Sequence, residues 1–363
     1  MSSPFNKSTS KPGYGSIIIS LLPPSTPRLQ TCSYQYPLKL IAPTPLPHVL
    51  SSISSSEGLE TLIHTIYLLT YGGGLVAGDA INLTIRLAPS TRLILLTQGS
   101  TKIFKSPSVN TISKQSLIVD LEPDSALCYL PDPVQPFEGS CFAQEQIYNI
   151  VQPSSGGASA SLCVLDWVSQ GRAARGENWR IWKYGSRNEV YLIPAAIQDN
   201  SAKKKRLLLR DNVILEDSAS ANTATPPGFA SRLDKLGVFG TLILYGSALS
   251  SLSTYFMDEF KALLRIGAKQ WHTEDSESDS ERDELQTSEV EATRKSIQSR
   301  RARRQRQEVK DDLLWTASNI RGFVLVKFGA REVEGVKRWL HAMLKDEGSV
   351  EREFGERALL CLK

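Results

Sequence analysis

From Gly13 to the neighbourhood of Tyr245 the chain is written in short β-type runs cut by Gly, Pro, Asn and Ser, and this habit constrains its fold more than any other feature. The runs are "SIIISLL", "PLKLIAP", "TIYLLTY", "INLTIRL", "RLILLTQ", "SLIVDLE", "ALCYLP", "SLCVLDWV", "NEVYLIP", "RLLLRDNVIL" and "GTLILYG". Turn signals such as Pro153-Ser154-Ser155-Gly156-Gly157 separate them. Helical periodicity is clear only near the end, where Val333, Val336, Leu340 and Met343 or Leu344 line one face of a helix predicted from about Arg331 to Lys345. A weaker helical candidate covers Ser251–Ile266. A mainly β architecture is expected, and 363 residues with 41% hydrophobic content suffice for one large β domain or two smaller ones.

Three consecutive glycines in "YGGGLVAGD", Tyr71 to Asp79, raise the question of a phosphate cradle. Gly72, Gly74 and Ala77 fit the spacing of a dinucleotide loop, which would make the chain an NAD-dependent enzyme. The match fails downstream. A dinucleotide loop opens a helix whose N-terminus faces the pyrophosphate, but Ile81, Leu83, Ile85 and Leu87 alternate with Asn82, Thr84 and Arg86 at the period of a strand. No Asp or Glu occurs between Ala80 and Val119 to hold a ribose, and the Gly-Lys-Ser/Thr of a Walker loop is missing.

A net charge of +4 does not argue for a nucleic-acid partner, because much of the charge sits in one segment. Eight acidic residues run from Glu274 to Glu289 and seven basic ones from Arg294 to Arg306, with almost no apolar content to offset the entropy of ordering. A disordered, charged insertion over 273–310 is expected; the competing reading is a nucleic-acid or nuclear-localisation patch at Arg300 to Arg306. The rest of the chain lacks the basic and aromatic interleaving of a nucleic-acid module. Cys32, Cys128, Cys141, Cys163 and Cys361 are scattered without a C-x-x-C pair, which suits reduced thiols in the cytosol. No signal peptide, membrane span or prenylation box is read, so a cytoplasmic protein is expected.

The four histidines, His48, His64, His272 and His341, stand apart, and HExxH, GxSxG and paired-Cys motifs are missing. Catalysis by side chains is therefore not expected. Three further stretches mix turn formers with specific charges: "TQGSTKIFKS" (Thr97 to Ser106), "YLPDPVQPFEGS" (Tyr129 to Ser140) and "DWVSQGRAARGENW" (Asp166 to Trp179). In the second, Pro131, Pro133 and Pro136 fix φ and withhold donors, holding Asp132 and Glu138 on a stiff connection or a rigid edge turn. In the third, burial of Arg172, Arg175 and Glu177 would require pairing, either as a structural ion pair or in a binding role.

These motifs, in this order and at this spacing, resemble the series of the UreD (UreH) family of urease accessory proteins. "YPLKLIAP" at Tyr36 to Pro43 is similar to that family's N-terminal segment, and "RGFVLVKFGAREVEGVKRWLHAML" to its C-terminal strand and helix. Coverage runs from about Gly13 to Leu344. The resemblance implies a β-helix-like stack of short strands with a few helices, divided as a flexible N-terminus 1–12, a β domain 13–272, the insertion 273–310, a C-terminal strand and helix 311–345 and a tail 346–363. The tail lacks the Pro-Arg-x-Trp-like close of relatives, and the insertion points to a eukaryotic version, fungal or plant.

The resemblance further implies a non-catalytic scaffold in the maturation of nickel urease. Members bind apo-urease and a UreF accessory protein, which recruits the GTPase UreG, and conduct nickel in transit through a water-filled interior, with no tightly bound cofactor. A transit path calls for exchangeable oxygen ligands, whereas a permanent nickel site favours imidazole and thiolate. Asp79, Asp132, Glu138 and Glu177 are the carboxylates inside the motifs and the candidate ligands of that path. A purely structural Asp79, accepting backbone N–H bonds in its turn, is the alternative.

Overall fold

A computed structural model of the chain describes residues 11–23, 25–49, 60–153, 156–194, 205–216, 229–263 and 284–363. The chain opens with β1 (Tyr14–Leu22), β2 (Thr26–Tyr34), β3 (Leu38–Ile41), β4 (Leu46–Val49) and β5 (Glu60–Thr70). The two-residue β6 (Gly74–Leu75) leads to β7 (Ala80–Leu87), β8 (Arg92–Leu96), β9 (Thr101–Ile103), β10 (Ser113–Leu121) and β11 (Ala126–Tyr129). Then come β12 (Val134–Pro136), β13 (Cys141–Val151), β14 (Ser161–Ser169), β15 (Lys183–Ile193) and β16 (Arg206–Glu216). The last third holds α1 (Phe229–Arg232), β17 (Val238–Tyr245), α2 (Ser250–Lys261) and α3 (Glu284–Lys310). It continues with β18 (Leu314–Ile320), β19 (Phe323–Ala330), α4 (Val333–Glu347), α5 (Ser349–Phe354) and a closing 3-10 turn, Glu356–Leu362.

Successive long strands alternate between two sheets, so the chain winds as a flattened coil. A seven-stranded sheet runs β16-β15-β13-β10-β7-β1-β2, and a larger sheet runs β18-β19-β17-β14-β11-β8-β5-β3. The middle of each is parallel: β7, β10, β13 and β15 in the first, β5, β8, β11 and β14 in the second. The expected mainly β, β-helix-like stack is thus the architecture found. Alternation of side chains along each strand explains the layers. On β7, Ile81, Leu83, Ile85 and Leu87 point inward to meet Leu93 and Leu95 of β8 and Leu127 of β11, while the intervening residues face outward. β8 and β14 are buried along their whole length, because the second sheet is covered on both sides.

The second cover is helical. Leu252 and Phe256 of α2, Val336, Trp339, Leu340, Met343 and Leu344 of α4, and Val350 and Phe354 of α5 pack onto Ile94, Cys128, Leu165 and Trp167. The face read for the C-terminal helix is the one buried, with Trp339 added and Val333 only half-buried. The weaker helical candidate appears as α2, which ends at Lys261; residues 264–266 of that candidate lie outside the described residues.

Two expectations need correction. Residues 273–283 of the expected disordered insertion lie outside the described residues, but Glu284–Lys310 form a helix. It is held by charge rather than by apolar burial. Arg301 donates to both Glu259 oxygens at 2.9 and 2.7 Å, Arg304 pairs with Glu259 and Glu308, and Trp339 Nε1 donates to Glu308 at 3.0 Å. Counting apolar residues missed this, since Glu259 lies on α2, forty positions upstream. The expected tail 346–363 is no tail either: Val350, Phe354, Ala358, Leu359, Cys361 and Leu362 are buried in the helical layer. Between them, 311–345 contains two strands and a helix. Residues 1–10 lie outside the described residues.

Candidate functional site

The inward face of the first sheet changes character halfway along. On β13 the inward positions read Phe142, Gln144, Gln146, Tyr148 and Ile150, so two amides stand where the period demands core. Register sets Gln115, Gln144 and Ser186 abreast on β10, β13 and β15, and Gln146, Asn188 and Asp211 abreast on β13, β15 and β16. On the second sheet the matching row is Asp166, Thr241 and Lys327. The result is a polar layer sandwiched between apolar ones.

Asp166 is its centre. One carboxylate oxygen accepts from Gln144 Nε2 at 3.0 Å, and the other from Ser186 Oγ and Asn188 Nδ2, each at 2.5 Å. Asp211 accepts from Thr241 Oγ1 at 3.0 Å and from Lys327 Nζ at 2.6 Å. Lys327 is about half exposed, so the layer reaches the surface there. Burial raises the Asp166 pKa above the ordinary carboxylate value, and nearby Asp211 adds to the rise, while the hydrogen bonds from Ser186, Asn188 and Gln144 counter it. Burial, followed by the field of Asp166, likewise lifts the phenols of Tyr129 and Tyr184. Asn188 Oδ1 is buried with no hydrogen-bond partner among the described residues.

Two spaces meet this layer. A surface concavity of about 510 Å³, edged by Lys114, Glu145 and Arg187, reaches Gln115, Gln144 and Ser186. Behind the two glutamines an internal cavity, with about 10 Å³ available to a water centre, is bounded by Gln146, Asp166, Thr97 and Asp132. That volume is about the room of one water. Gln115 and Gln144 are common to the linings of both spaces.

The sequence motifs converge elsewhere, on a ledge of short parallel strands. Leu75 of β6 pairs with Ile103 of β9, Pro136 of β12 pairs with Ile103, and Val134 pairs with Val168 of β14. The glycine question is answered here. A Cβ on Gly74 would sit 2.4 Å from the Lys102 carbonyl oxygen, so glycine permits close strand packing, while Gly72 and Gly73 turn the chain with φ near +75° and +73°. No helix follows, and the dinucleotide geometry is not built. Next to this, the Arg172 guanidinium lies 4.1 Å over the Phe137 ring, and Phe104 meets Phe137 edge-on.

The four sequence-derived carboxylates are distributed as follows. Asp79 Oδ2 accepts the Val76 N–H at 2.9 Å and closes its turn. Asp132 is buried, accepts from Thr97 Oγ1 and the Gly99 N–H, and pairs with Lys337 Nζ at 2.7 Å. Glu138 is exposed, 3.7 Å from Arg180. Glu177 is buried and bidentate with Arg172, whose hydrogen bonds hold its carboxyl below the usual value. The structure brings Glu138 and Glu177 onto the ledge and Asp132 to the cavity of Asp166, and leaves Asp79 in its own turn. Among the described residues no group of three or more His, Cys, Asp or Glu is arranged to hold a metal ion. Asp166, Gln144, Asn188 and Asp211 were missed. The available signal was one carboxylate inside the apolar run "SLCVLDWV" and the glutamines at alternate positions of "CFAQEQIYNIV".

Residues 21–357 match the model of the UreD urease accessory protein family. Urease accessory protein 4 of Cryptococcus neoformans is 32% identical over 249 residues, covering 63% of this chain and 69% of that protein. Urease accessory protein D of Oryza sativa subsp. indica is 30% identical over 235 residues, 65% of this chain and 66% of that one. An uncharacterized urease accessory protein ureD-like of Schizosaccharomyces pombe is 27% identical over 316 residues, covering 87% and 88%. The chain belongs to the UreD urease accessory protein family.

Proposed function

We infer that this member of the UreD family is a non-catalytic scaffold of urease maturation in the cytoplasm. It binds apo-urease and a UreF-like accessory protein, through which a UreG-like GTPase is recruited, and lets nickel in transit cross its interior toward the urease active site. The polar layer between the sheets carries this reading. A fold that needs only stability fills that space with apolar side chains, since a buried carboxylate with buried amides brings desolvation without compensating packing.

The chemistry of the layer suits transit better than storage. Its groups are carboxylate, amide and hydroxyl oxygens, hard and exchangeable donors, and the Cys361 thiol beside Asp132 donates to the Thr97 carbonyl at 3.3 Å and is pushed up by burial to about 11, which favours its protonated form. Space for about one water does not admit a fully hydrated ion, so nickel crosses with part of its shell replaced by protein oxygens. Gln144 is common to the linings of the surface concavity and the cavity, and its amide, which donates to both Asp166 and Ser186, is the group that the passage reading places between them. Asp166 and Asp132 are the charges on this route. Glu138 on the ledge is the most accessible of the other candidates, whereas Glu177 and Asp79 would have to leave Arg172 and the Val76 N–H to bind an ion.

The test uses host cells lacking this protein, complemented with wild type or with Asp166→Asn, Asp132→Asn or Glu138→Gln. Co-capture of urease and the accessory proteins is measured with nickel per urease site. Intact complexes with reduced nickel in Asp166→Asn and Asp132→Asn are expected. Failure of the wild type to capture urease at mild salt removes the scaffold reading; normal nickel in all three variants removes the passage and leaves scaffolding alone.

A further inference from the structure

The ledge built by the glycine-rich motifs carries a surplus of positive charge that its own carboxylates do not cancel. Arg172 is spent on Glu177 and Arg180 faces Glu138. Lys102 and Lys105, flanking Phe104, and Arg175, in the 3-10 turn Ala173–Arg175, are exposed and have no carboxylate partner among the described residues. Their positions are set by the fold. Lys102 lies on β9 between β6 and β12, in register with Gly74 and Gln135. The methylenes of Lys105 run past Gly139, where a Cβ would stand 3.4 Å from them, and Gly139 is tied by its N–H to the Arg180 carbonyl at 2.8 Å. Arg175 follows Arg172, whose guanidinium is pinned on Phe137.

We propose that this ledge is the docking surface for an acidic protein segment, whose carboxylates meet Lys102, Lys105 and Arg175. Charge complementarity supplies the argument: three uncompensated cations, Lys102 on a strand, Lys105 on the connection packed along Gly139 and Arg175 in a tight turn, form a receptor that steers and registers an acidic partner. Nucleic acid fits less well. Binding bases needs exposed ring faces, and here Phe137 is buried under Arg172 and Phe104 is turned edge-on to it. The other basic surface, Arg300, Arg303 and Arg306 on α3, shares that helix with Arg301 and Arg304, which already hold Glu259.

The proposal is independent of nickel passage; in the cell it names the chemistry of a partner that the scaffold reading requires. Its test is fluorescence anisotropy of the full chain with a labelled peptide of alternating Glu and Leu, for wild type, Lys102→Gln/Lys105→Gln/Arg175→Gln, and Arg300→Gln/Arg303→Gln/Arg306→Gln. These positions are exposed, and unchanged melting temperatures verify the fold. Loss of about tenfold in affinity with a shallower salt dependence is expected for the ledge variant alone. Lys105→Gln by itself is expected to give part of that loss. Equal losses in both triple variants, no loss in the ledge variant, or tighter binding of a single-stranded RNA 20-mer than of the peptide would each overturn the proposal. Co-capture from cells separates the two readings: a wild type that captures nothing fails the scaffold, and a ledge variant that captures partners as well as wild type fails the ledge.

Discussion

Strand β14 has two unlike sides. Toward the first sheet it shows Leu162, Val164, Asp166 and Val168; toward the helices it shows Cys163, Leu165 and Trp167. The helical side is mostly apolar side chains in close contact, with the buried charges of Arg92 and Glu353 paired and isolated polar atoms, Trp315 Nε1 and His341 Nε2 among them, left without a hydrogen bond among the described residues. The inner side interrupts its core with a carboxylate, amides and an unpartnered carbonyl oxygen. The contrast sets a connected polar layer between the sheets against an apolar helical side, and the proposed function rests on that layer.

The largest effect is expected on the helical side. Trp339 touches Phe256, Trp315 and Phe328 and donates to Glu308, so Trp339→Ala removes an aromatic cluster and the anchor of α3 together. A loss of about 3–5 kcal/mol in chemical denaturation is expected, with faster hydrogen exchange in α3. A cost under 1 kcal/mol would show that this side is not the stabilising one.

Asp166→Asn is next. The new amide directs N–H donors at a site already filled by donors from Gln144, Ser186 and Asn188, for a loss of about 1–3 kcal/mol. A variant as stable as wild type would mean that the layer rearranges freely.

Acid titration sharpens the comparison through its sign. The Asp166 pKa is raised in the folded state, so between the unfolded carboxylate value of about 4 and the higher folded one its contribution to stability falls as pH rises. The Glu177 pKa is lowered by Arg172, so its contribution is present above the unfolded value and is lost as pH falls through the folded one. Melting temperature against pH is therefore expected to flatten in opposite directions for Asp166→Asn and Glu177→Gln. Profiles changed in the same direction would refute the assigned environments. The smallest effect belongs to Asp79→Asn, which keeps an acceptor for the Val76 N–H and is expected to alter stability by less than about 0.5 kcal/mol.

Sequence by itself determined the β-type runs, the strand after the glycine segment, the amphipathic α4 and the family motifs, because period and turn chemistry are local properties that neighbouring residues carry together. It also required pairing of Arg172, Arg175 and Glu177 if buried, without fixing which of them meet; the fold pairs Arg172 with Glu177. It did not determine how α3 is held, because Arg301 and Arg304 lie more than forty positions from Glu259. Nor did it determine that 346–363 closes the core, or that Asp166 and Asp132 border one cavity. Winding the chain between two sheets decided those, by laying β10, β13, β15 and β14 so that single polar residues, each unremarked in its own strand, face one another across the interior. A lone buried carboxylate has no local signature; its meaning lies in the donors that other strands bring to it.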